Sequence, residues 1–389
     1  MYAIPIRAII LLALASSLPA LAQESAFQLK TGDRVVLLGG GFIGGEREFG
    51  YLEARLTRRQ HDADIVFRNL GWPGDNVRGL ARTGGFKNPD GFGRLVKEVA
   101  ELKPTVIVIG YGMNESFDGP DGLPGFDKDY RQLLARLAPL KARLVLLSPT
   151  CHENLGAPWP DPAEHNQHLE KFSAAVDKIA QDEKAVFVDL FHPLAELFKK
   201  DGKTRWTTNG IQLNSNGYAQ AARIIESKLG LGGFPTLLEI DAAGKFAVQP
   251  GRTIDEVKSA ADGVRFQVKD ALLPIPGDNP MVRVKDLKPG KYLVKLDGKD
   301  AQRASAAELN SGITLTAGGP ITAGEELCRK IAYKNDLFYR RWRPLNDHSR
   351  HWGFIGGDFQ LWEKQIAEQE KIIVESRRPR SYVVEIGRE

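Results

Sequence analysis

Arg34-Val35-Val36-Leu37-Leu38-Gly39-Gly40-Gly41-Phe42-Ile43-Gly44-Gly45 is the stretch that decides the fold. A short run of branched apolar residues drives straight into a cluster of glycines, the pattern of a buried strand followed by a tight turn into a helix. Working outward, the same kind of run recurs at 65–69 (IVFRN), 105–109 (TVIVI), 143–147 (RLVLL) and 185–190 (AVFVDL). Between the runs, Leu95, Val96, Val99 and Leu102 recur at helical spacing, as do Leu133, Leu134 and Leu137, and Leu169, Phe172, Val176 and Ile179. Alternation of strands with crossover helices predicts a parallel sheet covered on both faces, an α/β fold. A helix over 217–229 closes this layer, and the Gly/Pro-bearing stretch 230–235 marks its boundary.

Beyond that boundary the character changes. Residues 263–268, 281–284 and 291–296 read as strands separated by Pro-Gly, Asp-Asn-Pro and Asp-Gly-Lys turns, which predicts a small β module over 238–320. From Ala323 the chain reads as helical again: Leu327, Ile331 and Leu337 share one stripe, and a second run passes through Leu361, Ile366 and Ile372. This predicts a helical tail over 323–389, with Trp342 and Trp352 packed against the main domain, their neighbouring arginines in water, and a solvated Arg377-Arg378-Pro379-Arg380 run.

Composition narrows the function classes. The chain has 389 residues, 42% hydrophobic and 26% charged, which is ordinary for a globular protein. A formal charge of +4 is small for this length, so no nucleic-acid partner is expected. Residues 1–22 carry Arg7, an apolar run and an Ala20-Leu21-Ala22 ending, the marks of a secretory signal, and no later stretch is apolar enough to span a bilayer. The expectation is an exported protein, periplasmic or extracellular, with no integral membrane span once the signal is removed. Cys151 and Cys328 are either one disulfide or two free thiols; they are too few for a four-thiolate metal site.

In an open parallel sheet, ligands bind beyond the carboxyl ends of the strands. Gly39, Gly41 and Gly44 form a G-x-G-x-x-G after the first strand, which suits a dinucleotide pyrophosphate. The second strand, however, ends Arg68-Asn69-Leu70 without the acidic residue that such sites use for the ribose, and the leader lacks a twin-arginine pair. A nucleotide-binding oxidoreductase is therefore the weaker alternative, and no cofactor is predicted.

The segments after the strands, taken in order, resemble a different family. Gly39-Gly40-Gly41, then Asn69, Gly71 and Gly74, then Gly112, Asn114 and Glu115, then Gly210, Ile211, Leu213, Gly217 and Tyr218 look like the four blocks of the SGNH or GDSL hydrolases. The resemblance implies a three-layer α/β/α, flavodoxin-like domain over 27–232, an ester substrate and oxyanion-binding roles for Gly74 and Asn114. The Asn335-to-Pro344 segment also resembles the tail of an exported bacterial subgroup. Where the family has Gly-Asp-Ser this chain ends in Gly41, and where the family has Asp-x-x-His it has Asn209 and Gln212. Glycine offers no nucleophile, glutamine no titratable nitrogen and asparagine no charge for an imidazolium, so the ordinary serine mechanism is not expected.

Two functions follow from those substitutions. One is hydrolysis of an ester, a carbohydrate ester among the candidates, by a relocated constellation in which Asp75 and His152 activate water. The other is a catalytically degenerate protein that binds a small polar or polysaccharide ligand against Gly74, Asn114, Asn209 and Gln212. Plainer readings stand beside these. Asp75 can cap a glycine turn, Glu115 can bind loop amides, and His152-Glu153 can be loop polar groups. His165 and His168 form an i, i+3 couple without a carboxylate at fixed spacing, so no metal is predicted. Ser116 and Ser148 have no base beside them in sequence. Oligomeric state is left open by the sequence.

Overall fold

The structure, a computed structural model, describes residues 27–83, 90–200, 203–247, 249–260, 262–343 and 356–389. The leader and Trp352 lie outside the described residues. Five parallel strands form the central sheet: β1 (Arg34–Gly39), β2 (Val66–Gly71), β3 (Val106–Gly110), β4 (Arg143–Leu147) and β5 (Val186–Val188). Their order is β2-β1-β3-β4-β5, so the chain winds outward from β1 in both directions. Side-chain alternation sorts each strand between two cores. Val35, Leu37, Val106, Val108, Val145 and Leu147 face one layer. Val36, Leu38, Ile107, Ile109 and Leu146 face the other. Because both faces are buried, the strands read as continuous apolar runs, which is what made them legible.

The first core is covered by α2 (Tyr51–Thr57), α6 (Phe191–Lys200) and α7 (Ser215–Lys228). Over the second lie α3 (Gly91–Glu101), α4 (Leu123–Leu137) and α5 (Ala163–Asp182). A short helix, α1 (Gly41–Glu46), starts directly off β1. The three-layer α/β/α arrangement is the one expected from the sequence. Strand five is shorter than the expected 185–190: Asp189 and Leu190 have left the sheet to open α6.

The β module is larger than the three strands read from the sequence. It contains β6 (Leu237–Asp241), β7 (Arg252–Ala260), β8 (Gly263–Asp270), β9 (Met281–Lys285), β10 (Lys291–Leu296), β11 (Lys299–Ser305) and β12 (Ile313–Thr314), with α8 (Ala306–Ser311) before the last. One sheet is ordered β12-β9-β6, and a larger antiparallel sheet shares a core with it.

Helices α9 (Gly319–Trp342) and α10 (Gly356–Ser376) follow, and α9 buries Leu337, Phe338 and Trp342 on the second core beside β2. The tail is not helical to its end. Residues Tyr382–Arg388 form β13, which enters the larger sheet between β10 and β8 in the order β11-β10-β13-β8-β7. Tyr382, Val384 and Ile386 alternate inward there, a period-two signal that the preceding helical run obscured. Arg377 also departs from expectation: it is 1% exposed, and its guanidinium donates to the carbonyls of His61 and Ala63. Cys151 and Cys328 are free, buried thiols in separate clusters. Among the described residues no helix is long and apolar enough to cross a membrane.

Candidate functional site

The ends of β1, β2 and β3 come together where the glycines lie. A Cβ added at Gly39 would collide with the backbone oxygen of Gly110, and one at Gly44 would sit 3.0 Å from the Pro73 ring. Close packing of neighbouring strands and of α1 against the 72–74 turn thus accounts for these two members of the G-x-G-x-x-G pattern. Gly41 differs: a Cβ there meets only Met113 Cε, at 3.7 Å, and the position is half-buried and open.

Gly41 is shared by two adjoining hollows. The smaller, about 20 Å³, reaches Gly40, Asp75, Gly112, Asn114 and Ser148. The larger, about 280 Å³, is walled by Phe42, Pro73, Met113, Asn209, Gln212, Tyr218 and Tyr339. The structure therefore brings Gly41, Asn209 and Gln212 to one cavity although they are far apart in sequence. Asn209 Oδ1 accepts from the amides of Ile211 at 3.1 Å and Gln212 at 2.8 Å, fixing the loop that carries both amide side chains. Asn114 Nδ2 donates to the Asp75 carbonyl at 2.6 Å, which leaves its second N–H for a ligand. Gly74 takes φ +82°, a left-handed turn that glycine tolerates, and is exposed, lining neither hollow.

The residues considered for relocated chemistry are mostly committed elsewhere. Asp75 is 1% exposed; its Oδ2 accepts from Arg82 Nε at 2.7 Å and from the Tyr111 hydroxyl at 3.0 Å, and its Oδ1 from Ala81 N at 3.2 Å. Arg82 is fully buried and also pairs with Glu98 at 2.9 Å. No hydrogen bond joins Asp75 to His152 among the described residues, so the expected carboxylate–imidazole pair is not assembled. Arg82 is the partner that sequence reasoning missed; nothing in its loop setting signalled a buried guanidinium.

His152 lies in the loop after β4, lines neither hollow, and is 7% exposed. Its Nε2 is buried without a partner among the described residues, and its ring stacks on His165 at 4.8 Å between centroids. Burial, with His165 beside it, pulls its imidazole down to about 4, so it is neutral near pH 7. Burial likewise lowers His165. Ser116 does have a histidine beside it: Oγ and His165 Nε2 are 3.0 Å apart. The serine proton, however, goes to Met113 O at 2.6 Å, so His165 is the donor in that pair and cannot serve as its base. Exposed Phe117 also stacks on His165 at 4.2 Å and lies 6.2 Å from the His152 ring. His168 meets His165 edge-on, and no cluster of metal-ligating side chains occurs among the described residues.

Glu115 accepts from Val77 N at 2.9 Å and Gly112 N at 3.0 Å, binding loop amides, and burial raises its carboxyl above the ordinary range. Glu153 holds the 206–207 amides and the Thr207 hydroxyl, and its own amide donates to Gly210 O at 2.8 Å. It is a strut for the loop carrying Asn209 and Gln212. Ser148 Oγ accepts from Leu190 N and Phe191 N, opening α6.

The fold is shared with known proteins. Residues 31–220 match the model of the GDSL-like Lipase/Acylhydrolase family. A gut microbial diltiazem-metabolizing enzyme has a similar structure, with a TM-score of 0.68 at 16% identity over 93% of this chain and 98% of that one. The likeness thus runs through the β module and tail. Axe2, an acetylxylan esterase from Geobacillus stearothermophilus, aligns over 52% of this chain and 96% of its own, with 19% identity and a TM-score of 0.42. No curated protein matches the sequence.

Proposed function

Residues 31–220 belong to the GDSL-like lipase/acylhydrolase family, and from that premise we propose that this chain is a non-catalytic member, which holds a carbonyl- or acyl-bearing ligand in the cavity at Gly41 without hydrolysing it. One observation carries the reading. Gly41, where the family's first block supplies its serine, opens on a cavity with room for a side chain and has none, while Asn209 and Gln212 line the same cavity. A charge-neutral wall of amides binds and orients polar oxygen atoms but moves no proton. The second N–H of Asn114, in the adjoining smaller hollow, supports donation to a carbonyl oxygen, the recognition half of an acyl-transfer site. Relocated catalysis lacks support from Asp75, whose carboxylate is spent on Arg82 and Tyr111, and from His152, which stands outside the cavity.

The test is chemical. Purified chain should turn over nitrophenyl acetate no faster than buffer and should resist a fluorophosphonate label. The triple variant Gly41→Ser, Asn209→Asp, Gln212→His should become labelled at the new serine, because all three positions line the same cavity. Covalent labelling of the unmodified chain at a hydroxyl in this cavity would overturn the proposal.

A further inference from the structure

The cavity wall contains one residue from far outside the α/β domain. Tyr339 lies on α9, and it meets a cavity otherwise built from the strand ends and the 209–218 segment. Its ring is clamped. The Arg47 guanidinium lies 4.1 Å over it, and Arg47 Nη1 is itself paired with Asp336 at 2.8 Å, one turn away on α9. Arg343 Nη1 donates to the Tyr339 hydroxyl at 3.1 Å, while the same guanidinium lies 3.8 Å over Trp72. Trp342 meets Trp72 edge-on at 5.6 Å. The end of α9 is thereby wedged between α1, which starts at Gly41, and the turn that carries Pro73 and Gly74.

Since the tyrosine oxygen accepts from Arg343, its own proton is left to donate, and no acceptor for it occurs among the described residues. The cavity's charged wall residues are Arg47 and Glu48, and Arg47 is already balanced by Asp336 and by Glu48 at 3.7 Å. An ionic ligand would lose its hydration there without gaining an uncommitted counter-charge. Phe42, Met113, Ile211 and Leu213 supply apolar surface instead.

We infer that α9 completes the ligand cavity, with Tyr339 as a binding residue that donates its hydroxyl proton to an acceptor oxygen of an uncharged, partly apolar ligand. The inference rests on the reading of the Gly41 cavity as a ligand site. It also gives the tail a function: the helix supplies both a wall and a hydrogen-bond donor, held rigid before the ligand arrives.

Fluorine NMR on the full chain tests it, with para-fluorobenzyl acetate as the uncharged probe and para-fluorobenzoate as its anionic counterpart. The ester should bind and the benzoate should not. Tyr339→Phe, which keeps the ring and its cation–π contact, should weaken ester binding about fivefold, the worth of one net hydrogen bond, and, through the lost Arg343 contact, lower the thermal midpoint only slightly. Tyr339→Ala should weaken it further. Gly41→Leu fills the cavity from its floor and separates the two claims. If Gly41→Leu abolishes binding while Tyr339→Phe binds like the unmodified chain, the cavity stands and the role of Tyr339 is refuted. If Gly41→Leu leaves binding intact, or the unmodified chain prefers the benzoate or takes neither probe, the cavity reading fails and this inference falls with it.

Discussion

Glu46 sits on the same short helix as Gly41, 3% exposed, with Oε1 accepting from Leu52 N at 2.6 Å. Burial pushes its carboxyl up to about 8, and the neighbouring Glu53 adds to the rise. The folded state therefore holds a proton that the unfolded chain releases near pH 4.5, the ordinary value. Stability from this group is fully present below that pH and is lost as pH climbs through 8. Glu46→Gln removes the titration while keeping an acceptor for Leu52. Urea unfolding should show the unmodified chain losing roughly 3–5 kcal/mol relative to the variant between pH 5 and pH 9, an order-of-magnitude figure from the size of the shift. Parallel curves for the two proteins across that range would show that Glu46 is not held protonated.

The turn following β2 is the element on which the functional reading depends most. Its polypeptide leaves the sheet at Gly71, passes Trp72 and Gly74, and is tied back by the buried Asp75–Arg82 pair at 2.7 Å. Arg82 Nη2 also donates to Leu70 O at 2.8 Å, so the pair fastens the turn to the last residues of the strand. Removing one partner of a buried ion pair leaves the other desolvated and uncompensated, which costs about 3–5 kcal/mol. Asp75→Asn should lower stability toward that amount, and the double variant Asp75→Asn, Arg82→Met should recover part of the loss. An unchanged unfolding midpoint in Asp75→Asn would mean that the carboxylate is not the lock described and is free for other chemistry.

At the scale of the whole molecule, buried charge joins the α/β domain to the β module. Arg55 of α2 and Arg58, which caps it, contact Glu226 of α7 at 2.9 and 2.7 Å, and Asp278 from the segment between β8 and β9 at 2.9 and 2.5 Å. Lys334 of α9 pairs with Glu53 of α2 at 2.6 Å, so three parts of the chain meet on one helix. The module in turn depends on the chain's last residues, because β13 lies between β10 and β8. A chain ending at Pro379 leaves both neighbours without a partner along that edge. Limited proteolysis followed by mass spectrometry should then cut within 237–314 while the 34–228 region stays protected. Equal protection of the module with and without β13 would show that the strand is dispensable.

What the sequence determined by itself was the arrangement repeated locally. Strands buried on both faces are continuous apolar runs, helices between them carry a 3.6-residue period, and the blocks after the strands keep their order, so the sheet was legible, and with it the meeting of Gly41, Asn209 and Gln212 at one cavity. β13 left a trace in the alternation of Tyr382, Val384 and Ile386, but the helical run before it masked that signal; moreover, strand order in an antiparallel sheet is set by long-range pairing, and no local pattern announces which strand fills a central gap. The tertiary structure alone decided which polar side chains are occupied. Asp75, Glu115 and Glu153 look alike in sequence as carboxylates on one rim; an arginine seven positions on, or amides from another loop, takes each of them. Tyr339 reaches the cavity for the same reason: a side chain's partners depend on packing across the whole chain, whereas secondary structure depends on neighbours a few residues away.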